Sequence, residues 1–213
     1  MFDAISQWAA ALGDTLSGHL PLFVLFIFGI ATVEFILVAG FVVPSAAVLF
    51  LTGTFIATGK VPLWPLLSAA IVGAVVGETV SYMAGRRLRN EVNRVWLLRD
   101  HPQYLSRAEA LFARYGLAAV VVGRFVPWVD CVVPAIAGGA GMRFRPFMAL
   151  NVVSAVGWAM IHILPGMAVG TWLEAMGLPP QLAIVTGGAL LIALYAIFRL
   201  AQHLRKGWRL DGD

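Results

Sequence analysis

The stretch between residues 116 and 142 constrains this chain most, because it is apolar enough for lipid yet unsuited to a simple spanning helix. Its charged side chains are Arg124 and Asp130, and it also contains Pro127 and Pro134. A charge at membrane depth requires a partner, a watery cavity or a ligand. Broken backbone at that depth is tolerated only where protein buries it or where it lines a cavity. The stretch therefore predicts a binding or transport site inside a membrane.

The composition excludes an ordinary soluble domain. The chain has 213 residues, of which 60% are hydrophobic and only 12% are charged, whereas about a quarter would be charged in a soluble protein. The net charge of +4 comes from bases that flank the apolar runs, as expected of loops beside an anionic leaflet. We therefore expect the bilayer, and no nucleic acid, as a partner. The single cysteine, Cys131, excludes an internal disulfide and a thiolate metal cluster, and no metal or cofactor is expected.

The apolar runs predict an all-α integral membrane protein of one domain, in which two opposed re-entrant helical hairpins form an inverted repeat among three to four spanning helices. Whether a further span precedes the first hairpin, and hence on which side Met1 lies, is left open. The predicted segments are an amphipathic surface helix (1–18), re-entrant hairpin 1 (20–58), a spanning helix (62–85), a cytoplasmic basic loop with a second amphipathic helix (86–115), re-entrant hairpin 2 (116–142), two spanning helices (146–172 and 182–200) and a cytoplasmic tail (201–213).

The topology follows from the positions of the bases. The arginines of 86–114, of 143–145 and of the tail are all expected in the cytoplasm, so 116–142 enters and leaves by the same face. By the same argument Lys60 is external, and the first hairpin opens to the opposite face. At an offset of 90 positions, Glu34 aligns with Arg124 and Pro44 with Pro134. This pattern is typical of inverted repeats, which place a transport site near the midplane.

Three acids are candidates for the counter-charge of Arg124, which cannot deprotonate. They are Glu34, Glu78 and Asp130, and a ligand phosphate is the fourth possibility, because a guanidinium fork suits phosphate oxygens. Glu34 is interpreted either as a proton- or cation-binding acid on a pathway or as a protonated acid in packing. The pair around Arg124 is either part of a site or purely structural.

Two helices carry further candidates. Glu78 lies beside a ladder of small residues four apart, which lets another backbone approach closely. Its members are Ala69, Gly73, Gly77, Ser81 and Gly85. On a later helix one face carries Asn151, Ser154, Trp158 and His162, which either line a polar path or form interhelical hydrogen bonds. Motifs of ATP hydrolysis, zinc proteases and serine hydrolases are absent from the sequence, so we do not expect an enzyme.

Most of the chain, from about Phe23 to Gly170, resembles the DedA family of membrane proteins, which belongs to the VTT-domain (SNARE-associated Golgi protein) superfamily. The most specific matches are Phe112, Gly116, Arg124-Phe125, Pro127, Pro134 and Ala137-Gly138. Others are Glu34, Pro44, Gly73, Gly77, Tyr82, Gly85-Arg86, Met142, Phe147, Asn151, Gly157-Trp158 and Gly170. The resemblance implies two opposed re-entrant hairpins, and the movement of lipids such as undecaprenyl phosphate or phospholipids, coupled to a proton or sodium gradient.

The chain departs from this family at two positions. Pro44 is followed by Ser45-Ala46, where the family carries an acid, and Asp130 stands where the family has a second arginine. Glu78 stands where the family commonly has aspartate. A changed coupling ion, a zwitterionic substrate and a loss of transport are all compatible with these replacements.

The sequence thus predicts a multi-pass lipid transporter of the bacterial inner membrane, with a cytoplasmic C-terminus. Arg124 is expected to bind the headgroup phosphate, with Glu34 and Asp130 as gradient-sensing acids. The other site residues are Glu78, Pro127, Pro134, Pro44, Asn151 and Trp158. The alternatives are a small ion antiporter, an enzyme acting on lipid phosphates through Ser45 or Ser154, and a scaffold without turnover. The lipid, the ion and the oligomeric state are left open, a homo-oligomer included.

Overall fold

The computed structural model describes residues 18–36, 45–59, 61–87, 114–125 and 132–177, and the single positions 11, 15, 110, 112 and 130. Every regular element in these residues is helical, which confirms the all-α class. The helices are α1 (Leu20–Glu34), α2 (Ser45–Ala57), α3 (Leu63–Arg87), α4 (Ala119–Gly123, preceded by the 3₁₀ turn Gly116–Ala118), α5 (Val133–Gly139) and α6 (Phe144–Ala175). Outside these ranges lie the predicted segments 182–200 and 201–213, most of 1–18 and 86–115, and the residues Pro44 and Pro127.

Within the described ranges, α3 and α6 are the two helices that length and composition allow to cross a membrane. They have 25 and 32 residues, which at about 1.5 Å per residue exceeds the roughly 30 Å of a hydrocarbon core. The first begins one residue inside and ends two residues beyond the predicted span 62–85, and the second extends two and three residues beyond 146–172. Their outward side chains, such as Val72, Val80, Val153 and Ile161, are exposed and apolar, as expected of surfaces that face acyl chains.

The other described helices are short. With 15 and 13 residues, α1 and α2 are each roughly 20 Å long, less than a hydrocarbon core. They occupy the two ends of the segment predicted as the first hairpin, and α4 and α5 occupy the second. Pro21 stands in the first turn of α1 and Pro134 in the first turn of α5, where a missing N–H costs no helical hydrogen bond. Both prolines therefore begin helices.

The contacts between helices fix their directions. Gly73 and Gly77 of α3 meet the backbones of Phe28 and Thr32, so α1 runs in the same direction as α3. On the other long helix, Phe147 stacks on Tyr82 at 4.3 Å, and the side chain of Asn151 reaches the backbone of Val75. The long helices α3 and α6 are therefore antiparallel. Because α2 runs in the same direction as α6, it is antiparallel to α1.

Two glycine crossings repeat the same set of contacts. In the first, Gly53 of α2 faces Ile163 and Met167 of α6, and Gly166 faces Phe50. In the second, the Gly138 position of α5 faces Tyr82 and Arg86 of α3, and Gly85 faces Ala135. In both, backbone lies directly against backbone, so a Cβ at any of the four glycines would meet main-chain atoms. Equivalent residues of the two crossings, such as Gly53 and Gly138, lie fewer than 90 residues apart. This repeat therefore has a different offset from the 90 positions found in the sequence.

We expect Gly166→Ala to destabilise the protein, because its methyl group would press on the Phe50 carbonyl at the α2–α6 crossing. Overpacking of this kind costs about 1–3 kcal/mol. The matched control is Gly29→Ala in α1, where a Cβ meets nothing within 4 Å and helix propensity improves by up to about 1 kcal/mol. Thermal unfolding in detergent micelles should therefore shift in opposite directions for the two variants. Equal shifts would show that the crossing is not tight.

Candidate functional site

The candidate site is built around a buried arginine at the end of α4. The guanidinium of Arg124 is inaccessible, and its Nη2 lies 2.6 Å from Oε1 of Glu78, which is equally buried on α3. The same nitrogen donates a hydrogen bond of 2.8 Å to Oδ1 of Asn151 on α6. One side chain thus joins a short arm to both long helices. Of the three acids that the sequence offered as its counter-charge, Glu78 makes the direct ion pair.

The amide of Asn151 is held in place by the neighbouring helix. Its Nδ2 donates to the carbonyl of Val75 at 3.3 Å, one turn before Glu78 on α3. Its Oδ1 accepts from Arg124, while the backbone carbonyl of Asn151 accepts a 3.0 Å hydrogen bond from the hydroxyl of Ser154 within α6. The orientation of the amide is therefore fixed, with its oxygen directed at the guanidinium. The contact with Val75 is interhelical hydrogen bonding, one of the two predicted interpretations of the Asn151 stripe, whereas the bonds of Ser154 and His162 lie within α6.

Aromatic rings close one face of the guanidinium. Its carbon lies 4.6 Å from the centroid of the Phe35 ring, a distance typical of a cation–π contact. Phe35 packs edge-on against Trp158 with centroids 5.0 Å apart, and its carbonyl accepts a 2.6 Å hydrogen bond from the hydroxyl of Ser81. The ring is thereby fixed between α3 and α6. Phe35 was missed as a site residue, although its position after Glu34 mirrors that of Phe125 after Arg124.

Two more acids lie within electrostatic range of the buried arginine. Glu34, the last residue of α1, interacts with both Asp130 and Arg124, and Asp130 also acts on Glu78. The hydroxyl of Ser45, at the start of α2, lies beside the carboxyl of Glu34. The structure therefore gathers three acids around one guanidinium, at the level where both short arms end.

Several polar atoms of this cluster are buried without a hydrogen-bond partner among the described residues. They are Nε and Nη1 of Arg124, Oε2 of Glu78, Oε2 of Glu34 and Oγ of Ser45. Unpaired buried donors and acceptors are rare in native proteins, and each one calls for a partner such as a water, an ion or a ligand. The guanidinium therefore retains donors beyond those that Glu78 and Asn151 use.

The remaining candidates have smaller or different roles. Pro134 begins α5 and contributes no polar group, and Pro44 and Pro127 lie outside the described residues. Trp158 reaches the site only through Phe35. His162 donates from Nδ1 to the carbonyl of Trp158 at 2.7 Å, a bond within its own helix. No group of three or more potential metal ligands occurs in the described part of the chain.

Comparison with known proteins identifies the family. The VTT domain matches residues 43–168, a range that includes Glu78, Arg124, Asp130 and Asn151 but not Glu34. No solved structure matches the chain.

Curated relatives give the same result. The chain is 24% identical to the inner membrane protein YabI of Escherichia coli over 68% of this chain and 57% of that protein. It is 33% identical to the inner membrane protein YghB of the same organism over 55% and 54%. An uncharacterized membrane protein of Mycobacterium bovis is 33% identical over 65% of this chain and 70% of that protein. The chain thus spans little more than half the length of several of its relatives. Together these matches show that the chain belongs to the VTT-domain family and is related to the DedA inner membrane proteins.

Proposed function

We propose that this protein moves a phosphate-bearing lipid, such as undecaprenyl phosphate or a phospholipid, across the bacterial inner membrane. The observation that supports this most is the buried guanidinium of Arg124, whose nitrogens Nε and Nη1 are unpaired among the described residues. An arginine carries its charge at any physiological pH, so at membrane depth it requires an anion. Its fork binds phosphate oxygens through parallel N–H···O bonds, which makes a headgroup phosphate a suitable ligand.

The ion pair with Glu78 sets a condition on binding. Nη2 of Arg124 belongs to both donor forks of the guanidinium and already contacts Oε1 of Glu78, so a phosphate either accepts a single hydrogen bond from Nε or Nη1 or displaces the carboxylate and takes a complete fork. In both cases a second anion lies beside the carboxyl group of Glu78, which is buried away from solvent. A buried charge without compensation is costly, so the carboxylate then takes up a proton or a cation. Lipid entry and ion uptake are thereby linked.

The charges of the cluster favour such coupling. Glu34, Glu78 and Asp130 outnumber the single guanidinium of Arg124 in electrostatic range. If all three acids were ionised, the cluster would be negative before the lipid arrived and would repel its phosphate. Protons or sodium ions on Glu34 and Asp130 remove that repulsion. A gradient of either ion would therefore drive lipid loading from one side.

We further propose that α1–α2 and α4–α5 form two re-entrant hairpins. The lengths of α1 and α2, and their opposite directions, support an excursion that returns to its own face. Exposed tryptophans, Trp64 and Trp172, mark one end of the long helices, and the arginines at 86–87 and 143–145 mark the other. By the distribution of positive charge the arginine end is cytoplasmic, which agrees with a cytoplasmic C-terminus. The site then lies between the two leaflets.

An ion antiporter is the second candidate, and the excess of acids over bases in the cluster favours it. An enzyme acting on lipid phosphates has less support, because the hydroxyl of Ser154 donates to the backbone carbonyl of Asn151 and that of Ser45 lies beside the carboxyl of Glu34. We therefore propose a transporter without a chemical step. Release of inorganic phosphate from a lipid substrate would contradict this part of the proposal.

The central test separates structural from functional roles of the ion pair. Arg124→Gln leaves Glu78 as a buried, uncompensated acid, which we expect to cost about 3–5 kcal/mol of stability. The double variant Glu78→Gln/Arg124→Gln should regain most of that stability, because no unpaired charge remains. Lipid translocation in proteoliposomes, followed with a fluorescent phospholipid, should stay slower by about 10- to 100-fold in both variants, the effect of losing a charge-assisted hydrogen bond.

The matched control for this experiment is Arg145→Gln, since Arg145 is an exposed arginine outside the cluster. We expect it to translocate lipid at the wild-type rate. A double variant that is stable and translocates lipid as fast as wild type would show that the ion pair serves the fold alone.

Coupling is tested at Glu34. Glu34→Gln keeps the size of the side chain but removes its ionisable group. An imposed proton or sodium gradient should therefore no longer change the rate of lipid translocation, which should equal the rate measured without a gradient. The same vesicles should carry a pH-sensitive dye. Dye flux that persists in wild type without any movement of lipid would favour the antiporter instead.

A further inference from the structure

A second binding site is suggested by a groove at the arginine end of the long helices. The groove has a volume of about 560 Å³, within the roughly 300–1,000 Å³ of typical ligand pockets. Its lining is almost entirely apolar and includes Phe112, Leu117, Ala140 and Met142, with Arg143 as its charged member. Arg143 is exposed and stands immediately before α6.

The surroundings of the groove are those of a membrane–water boundary. Tyr82 donates to the carbonyl of Met142 and accepts from Nη1 of Arg86 at 3.3 Å, which joins the end of α3 to the start of α6. Arg86, Arg143 and Arg145 are all exposed there. Arginines at the ends of spanning helices attract anionic lipid headgroups. An apolar groove beside them matches the acyl part of the same lipid.

A second groove of similar size provides a comparison, because it lacks a charged residue in its lining. It lies at the opposite end of α3, has a similar volume of about 550 Å³ and is lined by α1 and α3. Its lining residues carry no charge, and Ser68 is its polar side chain. Of these two grooves, only that at Arg143 combines an apolar lining with a cation on its rim.

The groove also connects to the buried site along two elements. Gly116 and Leu117 line it at the start of the arm that ends in Arg124. Arg143 lines it at the start of α6, on which Asn151 lies two turns further, or about 12 Å along the axis. The groove adjoins an apolar cluster of Tyr82, Val120, Ala137 and Phe147, because Ala137 belongs to both and Phe112 and Met142 of the lining pack against that cluster.

We propose that this groove is a docking site for an anionic glycerophospholipid of the surrounding leaflet, with its phosphate on Arg143 and an acyl chain along the apolar lining. The inference rests on the proposed function, because it gives the lipid a first binding position before Arg124. The occupant is a bilayer lipid, because free phosphate would leave the apolar lining uncovered. A zwitterionic lipid would gain less binding energy from Arg143.

The test is native mass spectrometry of the detergent-purified full chain with phosphatidylglycerol or phosphatidylcholine at equal concentrations. Wild type should bind phosphatidylglycerol more tightly. Arg143→Gln should weaken that binding about fivefold, the contribution of one arginine near an anionic surface, and should leave phosphatidylcholine unchanged. Ala140→Trp, which fills the groove, should weaken both lipids. Arg145→Gln, of equal charge and two residues away, should have less than half the effect of Arg143→Gln on the logarithm of the affinity.

Three results would overturn the inference: equal affinity of wild type for both lipids, equal effects of Arg143→Gln and Arg145→Gln, or no effect of Ala140→Trp. The double variant Glu78→Gln/Arg124→Gln distinguishes the two proposals, because it should keep its phosphatidylglycerol binding while translocation is lost. Groove binding in a wild-type protein that moves no lipid would contradict the proposed function alone. Lipid movement that depends on Arg124 without groove binding would contradict this inference alone.

Discussion

The ion pair of Arg124 and Glu78 is the interaction on which the arrangement of this protein depends. A guanidinium inside an apolar assembly has no neutral form, so the chain must bring it an acid and satisfy as many of its donors as possible. That requirement determines where the short arm stops relative to α3 and α6. The amide of Asn151, the ring of Phe35 and the hydroxyl of Ser81 all have positions that follow from it. The removal of either partner of the pair therefore affects three helices at once.

Much of this was predictable from sequence, for a physical reason. In lipid a backbone must satisfy its own hydrogen bonds, so long apolar runs become helices, and α3 and α6 begin and end within three residues of their predicted bounds. Arg124, Glu78 and Asn151 were conspicuous because each is polar within an apolar run. That Glu78 is the direct partner of Arg124 was not predictable, because it depends on the axial position of α3 relative to α4. The role of Phe35 was hidden, since a phenylalanine in an apolar run carries no distinguishing signal.

The two departures from the family acquire meaning in the structure. Asp130, where the DedA resemblance predicts a second arginine, adds negative charge beside Glu34 and Glu78. Ser45 stands next to the missing acid and places a neutral hydroxyl beside Glu34. Among the described residues the cluster therefore combines the fixed positive charge of Arg124 with three acids, Glu34, Glu78 and Asp130. Under the proposed function such a site would differ from one with two arginines, because protons or cations bound to its acids would change the sign of its net charge and, with it, its affinity for an anion.

The two glycine crossings have a consequence for the chain as a whole. The second arm of each predicted hairpin packs on the long helix of the other half, through contacts too close for any side chain to intervene. Each half therefore buries its glycine seam only against its counterpart. A fragment ending after α3 would present a bare glycine seam to the lipid, and so would a fragment beginning at α4. The two fragments would therefore be expected to fold stably only when they are present together and associate.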